Sequence, residues 1–184
     1  MEHRNTSTIS RWARWLGTFV GFPLAGVAAR AAVGGIDSVG AATLGGLAGG
    51  LVLGAAQATI GGLRAEDRLR WIGATGVGLA SGLAVGASTV GYRTDTASLV
   101  VMGALSGAAV GIVQALAVPL RRLDRLAWIV ATPALWAGGW MITSQVIVDA
   151  DRRHAIFGSS GAVAVSALAG VLVAGRTTRL AGVS

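Results

Sequence analysis

Six long apolar stretches, separated by short polar connections, dominate the pattern of hydrophobic and polar positions along the chain. Each is about 20 residues long, which is the length of helix that crosses a bilayer, and none alternates like the strands of a membrane β-barrel. The pattern predicts an all-α, polytopic membrane bundle of six transmembrane helices in a single transmembrane domain, residues 1–184. The predicted spans are 15–33, 38–62, 71–91, 97–119, 126–148 and 156–175.

Composition leads to the same class of protein. Hydrophobic residues make up 53% of the 184 residues, 29 more residues are Gly, and charged residues are only 12%. That charged share is about half of the share in an ordinary soluble domain. A chain this apolar is not intrinsically disordered, and without Cys it has no disulfide or cysteine–metal framework.

The distribution of arginine predicts the orientation. All 15 basic residues are Arg, and 11 of them fall in the two tails and in the connections after the second and fourth spans, whereas the eight acids divide equally between the two sides. The positive-inside rule makes the arginine-rich side cytoplasmic, with both termini there. Arg without Lys, together with abundant Ala and Gly, is typical of a GC-rich bacterial genome, so we expect a bacterial inner membrane. A cleaved signal peptide is the alternative interpretation of the first span.

The sequence repeats itself at a spacing of 57 residues. Residues 46–82 match residues 103–139 without a gap at 16 of 37 positions. Thr18 extends the pattern upstream, Trp15 lies one place off the tryptophan register, and Val171 stands where a third glutamine would fall. One unit holds two spans, so successive units enter the membrane in the same direction. The repeat predicts three tandem, parallel helical hairpins around a rough three-fold axis; a linear duplication packed without symmetry is the alternative.

Within each copy, a Gly-x-x-x-Gly helix is followed by Gln, by Leu-Arg and by a helix that begins with Trp. The residues that carry this motif are Gly50, Gly54, Gln57, Leu63, Arg64 and Trp71, and again Gly107, Gly111, Gln114, Leu120, Arg121 and Trp128. In this the chain resembles a largely uncharacterised group of bacterial multi-pass membrane proteins built of such repeated hairpins. It departs from their pattern at Ala58 and Ala115, where Trp is common. The resemblance implies topology and no activity.

Small residues recur at every fourth position of several spans. In lipid, helices associate through close backbone contact at such residues, because the hydrophobic effect gives them little attraction for each other. The sequence therefore predicts helix packing at Gly46, Gly50, Gly54, Gly103, Gly107, Gly111, Gly78, Gly82 and Gly86.

The predicted spans contain no Asp, Glu, His, Lys or Cys. Catalysis at neutral pH usually needs a titratable group or a metal, so we expect no enzyme activity, no cofactor and no metal site. The neutral polar residues of the spans are candidates for a polar cavity, with interhelical hydrogen bonding as the alternative. They are Gln57, Gln114, Thr18, Thr75, Thr132 and Gln145.

The predicted cytoplasmic motif Arg-x-x-Asp-Arg-Leu-x-Trp occurs twice. Its acids, Asp67 and Asp124, are expected to cap the next helix. Its basic and aromatic residues suit lipid phosphates and the headgroup layer, or a protein partner. These candidates for lipid or partner contact are Arg64, Arg68, Arg121, Arg125, Trp71 and Trp128.

Two hypotheses for function follow. The first is a non-catalytic subunit, assembly factor or regulator of a larger membrane complex, with membrane lipids and a protein in the membrane as partners. The second is a passive channel, or the substrate-binding membrane component of a transporter, for a small neutral or apolar solute. Nucleic acid is not an expected partner, because topology already explains the positive charge.

Overall fold

The computed structural model describes residues 2–146 and 159–175, and the regular structure in this part of the chain is entirely helical. A 3₁₀ turn, Thr18–Val20, joins the first two helices. The helices are α1 (Glu2–Gly17), α2 (Gly21–Val33), α3 (Val39–Ile60), α4 (Ala65–Thr89), α5 (Thr96–Ala117), α6 (Arg122–Val146) and α7 (Ser159–Gly175). The prediction of an all-α chain is confirmed for these residues.

Five helical segments are long and apolar enough to cross a membrane. They are Thr8–Val33, Val39–Ile60, Ala65–Thr89, Thr96–Ala117 and Arg122–Gln145. The apolar part of α7, Gly161–Val173, is shorter, and residues 147–148 and 156–158 of the last two predicted spans lie outside the described residues. The chain is thus a helical membrane protein with several spans, whereas the count of six remains a prediction.

The helices α4 and α6 begin earlier than the predicted spans. They start at Ala65 and Arg122, so the arginine motifs form first turns of helices. Asp67 and Asp124 lie in those turns, where a negative charge interacts favourably with the helix dipole. The predicted cap by Asp67 is wrong, because Arg64 is the N-cap residue of α4 and no side chain accepts a cap hydrogen bond there.

The helices form a closed ring in chain order. From α2 to α7 each helix packs on the next, and α7 returns to α1 and the 3₁₀ turn. Short connections make neighbouring helices antiparallel. Connections 61–64 and 118–121 therefore lie at one end of the bundle, which we call the arginine end, and connections 34–38 and 90–95 lie at the opposite end. Each helix consequently turns one stripe toward the ring axis.

Glycines bring neighbouring helices into backbone contact. A Cβ placed at Gly50 of α3 would lie 2.6 Å from the Thr75 carbonyl oxygen of α4, and one at Gly82 would lie 2.6 Å from Ser106 Cα of α5. Only glycine fits at such positions without a shift of the neighbouring backbone. A Cβ would also meet a neighbouring helix at the remaining predicted packing positions, Gly46, Gly54, Gly78, Gly86, Gly103, Gly107 and Gly111.

Proline and aspartate shape two of the helix ends. Pro23 lies just after the 3₁₀ turn, and because it lacks an N–H it cannot continue the α-helical hydrogen bonds of the preceding turn. At the opposite end, Asp95 caps α5: its carboxylate accepts from the Ser98 backbone N–H at 3.1 Å and from the Ser98 hydroxyl at 2.6 Å. These hydrogen bonds, the side-chain one first, lower the pKa of Asp95 below its usual 3.8.

Candidate functional site

Three tryptophans close the ring axis at the arginine end. The ring centroids of Trp15 and Trp71 are 6.2 Å apart, those of Trp15 and Trp128 are 5.9 Å apart, and those of Trp71 and Trp128 are 5.8 Å apart. Each side chain is at most 5% exposed. The prediction that Trp71 and Trp128 contact lipid is therefore wrong, because the ring of helices turns these residues inward. We call the three residues the tryptophan triad.

Two glutamines connect the triad to a buried hydrogen-bond network. The Trp71 indole N–H donates to Gln57 Oε1 at 3.0 Å, and the Trp128 indole N–H donates to Gln114 Oε1 at 3.1 Å. The Gln114 amide nitrogen donates to Gln57 Oε1 at 3.2 Å and to Thr75 Oγ1 at 2.8 Å. Buried amides in lipid need such partners, and here they supply them to each other across the axis.

The equivalent threonines bond to their own helices. Thr75 and Thr132 donate to the carbonyl oxygen of the tryptophan four residues earlier, at 2.8 Å and 2.6 Å. Thr18 instead donates to the carbonyl oxygen of Trp15, three residues earlier, at 2.7 Å. Trp15 and Thr18 are thus three residues apart where the other two pairs are four apart, and this difference is the one-residue offset of Trp15 from the 57-residue register.

The remaining polar candidates lie apart from this network. Gln145 is exposed near the end of α6, so its inclusion in a polar cavity with the other candidates is wrong.

At the arginine end, Arg64 pairs with Glu66 at 2.8 Å, but both side chains are mostly exposed, and such pairs contribute little to stability. The Arg68 Nε–H donates to the Leu63 carbonyl oxygen at 3.1 Å.

The last two arginine candidates differ in their exposure. Arg121 is exposed, whereas Arg125 is half-buried and its Nε is buried without a hydrogen-bond partner. Contact between these arginines and lipid phosphates stays a prediction.

An apolar cavity occupies the half of the axis toward the opposite end. Its volume is about 70 Å³, and five helices, α2 to α6, and Ile36 of the α2–α3 connection line it. The walls include Phe22, Leu83, Trp136 and Trp140, whereas Ser106 supplies a hydroxyl. We call this space the apolar cavity; it reaches the connection at the end of the bundle that is away from the tryptophan triad.

A smaller cavity lies between the apolar cavity and the tryptophan triad. Its volume is about 20 Å³, and its lining includes Gln57, Gln114 and Ser166 beside two of the threonines. Phe22 and Trp136 line both cavities and contact each other with ring centroids 5.7 Å apart. We call the smaller space the polar cavity, and the contact of the two rings the aromatic partition.

The sequence pattern marked neither Phe22 nor Trp136 nor Ser166 as a residue of a functional site. A signal for two of them was present: Phe22, Leu79 and Trp136 follow the 57-residue spacing, and all three line the apolar cavity. Ser166 has no such signal, because α7 departs from the repeat.

Comparisons with protein families, with curated proteins and with solved structures find no match for this chain. Among the described residues, no group of three or more His, Cys, Asp or Glu is arranged to hold a metal ion. The candidate site is the ring axis, with its two cavities.

Proposed function

We propose that the chain is a non-catalytic integral membrane protein that binds a small, neutral, apolar solute in the apolar cavity. The cavity itself carries this proposal, because its volume of about 70 Å³ has mainly apolar walls drawn from five helices. An engineered apolar cavity of about 150 Å³ binds benzene and xenon, so a solute smaller than benzene is expected here.

Of the two transport roles, a substrate-binding membrane component fits better than a passive channel. An apolar solute crosses the hydrocarbon layer unaided, so a pore for it offers little advantage. The tryptophan triad also blocks the axis at the arginine end, with no side chain of the triad more than 5% exposed. Release toward that end would need the triad to open, and a partner that drives this opening is a natural second component.

For the topology, we propose six spans in three tandem parallel hairpins, with the arginine end in the cytoplasm of a bacterial cell. The equivalent hydrogen bonds of Trp71 to Gln57 and of Trp128 to Gln114 support the repeat. The arginines at this end suit anionic lipid phosphates, each worth about 1 kcal/mol near the membrane surface.

The orientation is tested with single cysteines, because the natural chain has none. Gly35→Cys lies in the connection at the opposite end and Ala65→Cys lies at the arginine end, and both positions are exposed. A membrane-impermeant maleimide added to intact cells should label Gly35→Cys alone, and Ala65→Cys should react only after permeabilisation. The reverse labelling would refute the proposed orientation.

Solute binding is tested with xenon as the probe. Crystals of the wild-type protein grown in lipid are pressurised with xenon, and anomalous density is measured in the apolar cavity. Leu83→Phe adds a ring to the cavity wall and should abolish xenon occupancy. Leu116→Phe is the matched control, because Leu116 is 69% exposed on the outside of the ring, and it should leave occupancy unchanged. Xenon found only outside the ring would overturn the proposal.

Purification of the wild-type protein in mild detergent tests the hypothesis that the chain is a subunit, assembly factor or regulator of a larger membrane complex. A second polypeptide that stays bound at a fixed ratio in mild detergent, together with a cavity that takes up no xenon, would favour that hypothesis. A single polypeptide with an occupied cavity favours the solute-binding component.

A further inference from the structure

The polar cavity has the size and the lining of a site for one small hydrogen-bonding molecule. Its volume is about 20 Å³, and about 10–15 Å³ of space open to the centre of a water-sized sphere is enough for one water. The polar residues in its lining come from five helical segments: Thr18, Gln57, Gln114, Thr132 and Ser166. An apolar molecule of that size would leave the Ser166 hydroxyl without a partner.

The buried hydroxyl of Ser166 is the feature that indicates a ligand in the polar cavity. Its side chain is 2% exposed, it lines the polar cavity, and its hydroxyl oxygen is buried without a hydrogen-bond partner. Buried polar atoms in native proteins almost always have a partner, which is often an ordered water. The cavity beside Ser166 is the space in which such a partner can lie.

The position of Ser166 also explains why the space is there. The 57-residue spacing would place a third glutamine at position 171, but Val171 is 59% exposed on the outside of α7. No third amide thus enters the axis from α7, which presents Ser166 and Ala169 to the cavity instead. These two side chains are shorter than a glutamine, so a gap remains beside the network.

Some hydrogen-bond donors and acceptors of the network are not used within it and are available to such a ligand. The Gln114 amide nitrogen uses both of its hydrogens, on Gln57 Oε1 and Thr75 Oγ1, whereas Gln57 takes part through its carbonyl oxygen. The hydroxyls of Thr18 and Thr132 donate to their own helices and keep lone pairs for a further donor. The cavity thus offers both donors and acceptors to a molecule that can do both.

We propose that the polar cavity binds one water molecule, held by the Ser166 hydroxyl and by the amide and threonine groups around it. This water takes the place of the third glutamine and completes the ring of polar groups on the axis. The aromatic partition separates it from the apolar cavity. The inference is independent of solute binding, because it concerns the other cavity and a ligand that is always present.

The stability of two serine variants tests the proposal. Ser166→Ala removes a hydrogen bond to the water and should lower the unfolding midpoint in detergent by about 2–4 °C. Ser106→Ala is the matched control: Ser106 is 1% exposed and its hydroxyl is also buried without a partner, but it lines the mainly apolar cavity. Its removal should leave the midpoint unchanged or raise it, because Ser106 supplies the only hydroxyl among the described residues that line that cavity, and a buried water needs at least two polar partners.

A midpoint for Ser166→Ala equal to or above that of the wild type would overturn the proposal, since it would mark the Ser166 hydroxyl as equally unsatisfied. A structure at about 2 Å resolution gives a second, independent measurement. Ordered density within hydrogen-bonding distance of Ser166 Oγ supports the water site, and its absence at that resolution refutes the site whatever the midpoint of the variant.

Discussion

Replacement of Gln114 by Leu is the sharpest test of the buried network, because this side chain is its centre. Gln114 is 1% exposed. It donates to Gln57 and Thr75 and accepts from the Trp128 indole, which amounts to three hydrogen bonds between side chains. Leucine has a similar size and suits the surrounding apolar environment, so the loss of these bonds should dominate the effect.

The expected magnitude follows from the number of bonds. Interhelical hydrogen bonds in a membrane protein contribute about 0.6 kcal/mol each on average, so three of them give about 2 kcal/mol. The Trp128 indole N–H also loses its glutamine acceptor inside the bundle, and a buried donor that loses its partner costs more than the average bond. We therefore expect Gln114→Leu to lower the free energy of unfolding by about 2–4 kcal/mol.

Unfolding in mild detergent is followed by tryptophan fluorescence, to which the tryptophan triad contributes. Gln145→Leu makes the same chemical change at an exposed position of α6 and should have almost no effect. A double-mutant cycle of Gln57→Leu and Gln114→Leu should give a coupling of about 0.6 kcal/mol, because the two residues share one hydrogen bond. Equal stability of Gln114→Leu and Gln145→Leu would refute the reasoning.

Three further predictions concern the ring and its ends. Gly50→Ala should destabilise the bundle by about 1–3 kcal/mol through overpacking, as measured by thermal unfolding, whereas Gly73→Ala should be neutral or stabilising, because nothing lies within 4 Å of a Cβ at Gly73. Trp15→Phe, which weakens two edge-to-face contacts, should cost about 1 kcal/mol and reduce the near-ultraviolet circular dichroism; an unchanged spectrum would contradict the triad. Asp95→Ala should be less stable than the wild type at pH 7. This difference should vanish as the pH falls below 3.8, because protonation of Asp95 at its lowered pKa weakens the hydrogen bonds to Ser98 that cap α5. A difference that persists at low pH would contradict the cap.

The positions of the helices could be predicted from the sequence, because hydrocarbon imposes a length and a polarity on each span. The glycine positions followed for a similar reason: in lipid, small residues are where backbones approach. The starting residues of α4 and α6 were predicted too late in the chain, because the first turns of these helices are polar. Hydropathy carries no signal for a polar helical turn. The acids Asp67 and Asp124 in those turns were the available signal.

The composition of the candidate site was predicted only in part. The 57-residue spacing marked Gln57 and Gln114 as equivalent, but it gave no direction for their side chains. Gln145 has the same chemistry and lies outside the network, because the end of α6 turns it away from the axis. Residue type and spacing along a helix do not fix which stripe faces inward when every stripe is apolar.

The sequence by itself determined that the bilayer is the solvent of this chain, which segments become helices, and which of their small residues pack. Only the tertiary structure decided that α7 closes the ring onto α1 and that two cavities remain between the helices. It also decided that the tryptophans meet on the axis instead of anchoring in the headgroup layer. The physical reason is that lipid and protein interior are almost equally apolar. Hydropathy therefore separates segments in the membrane from segments in water. Which face of a helix points into the bundle is decided by the shape of the neighbouring helices and by the hydrogen bonds that buried polar groups must form.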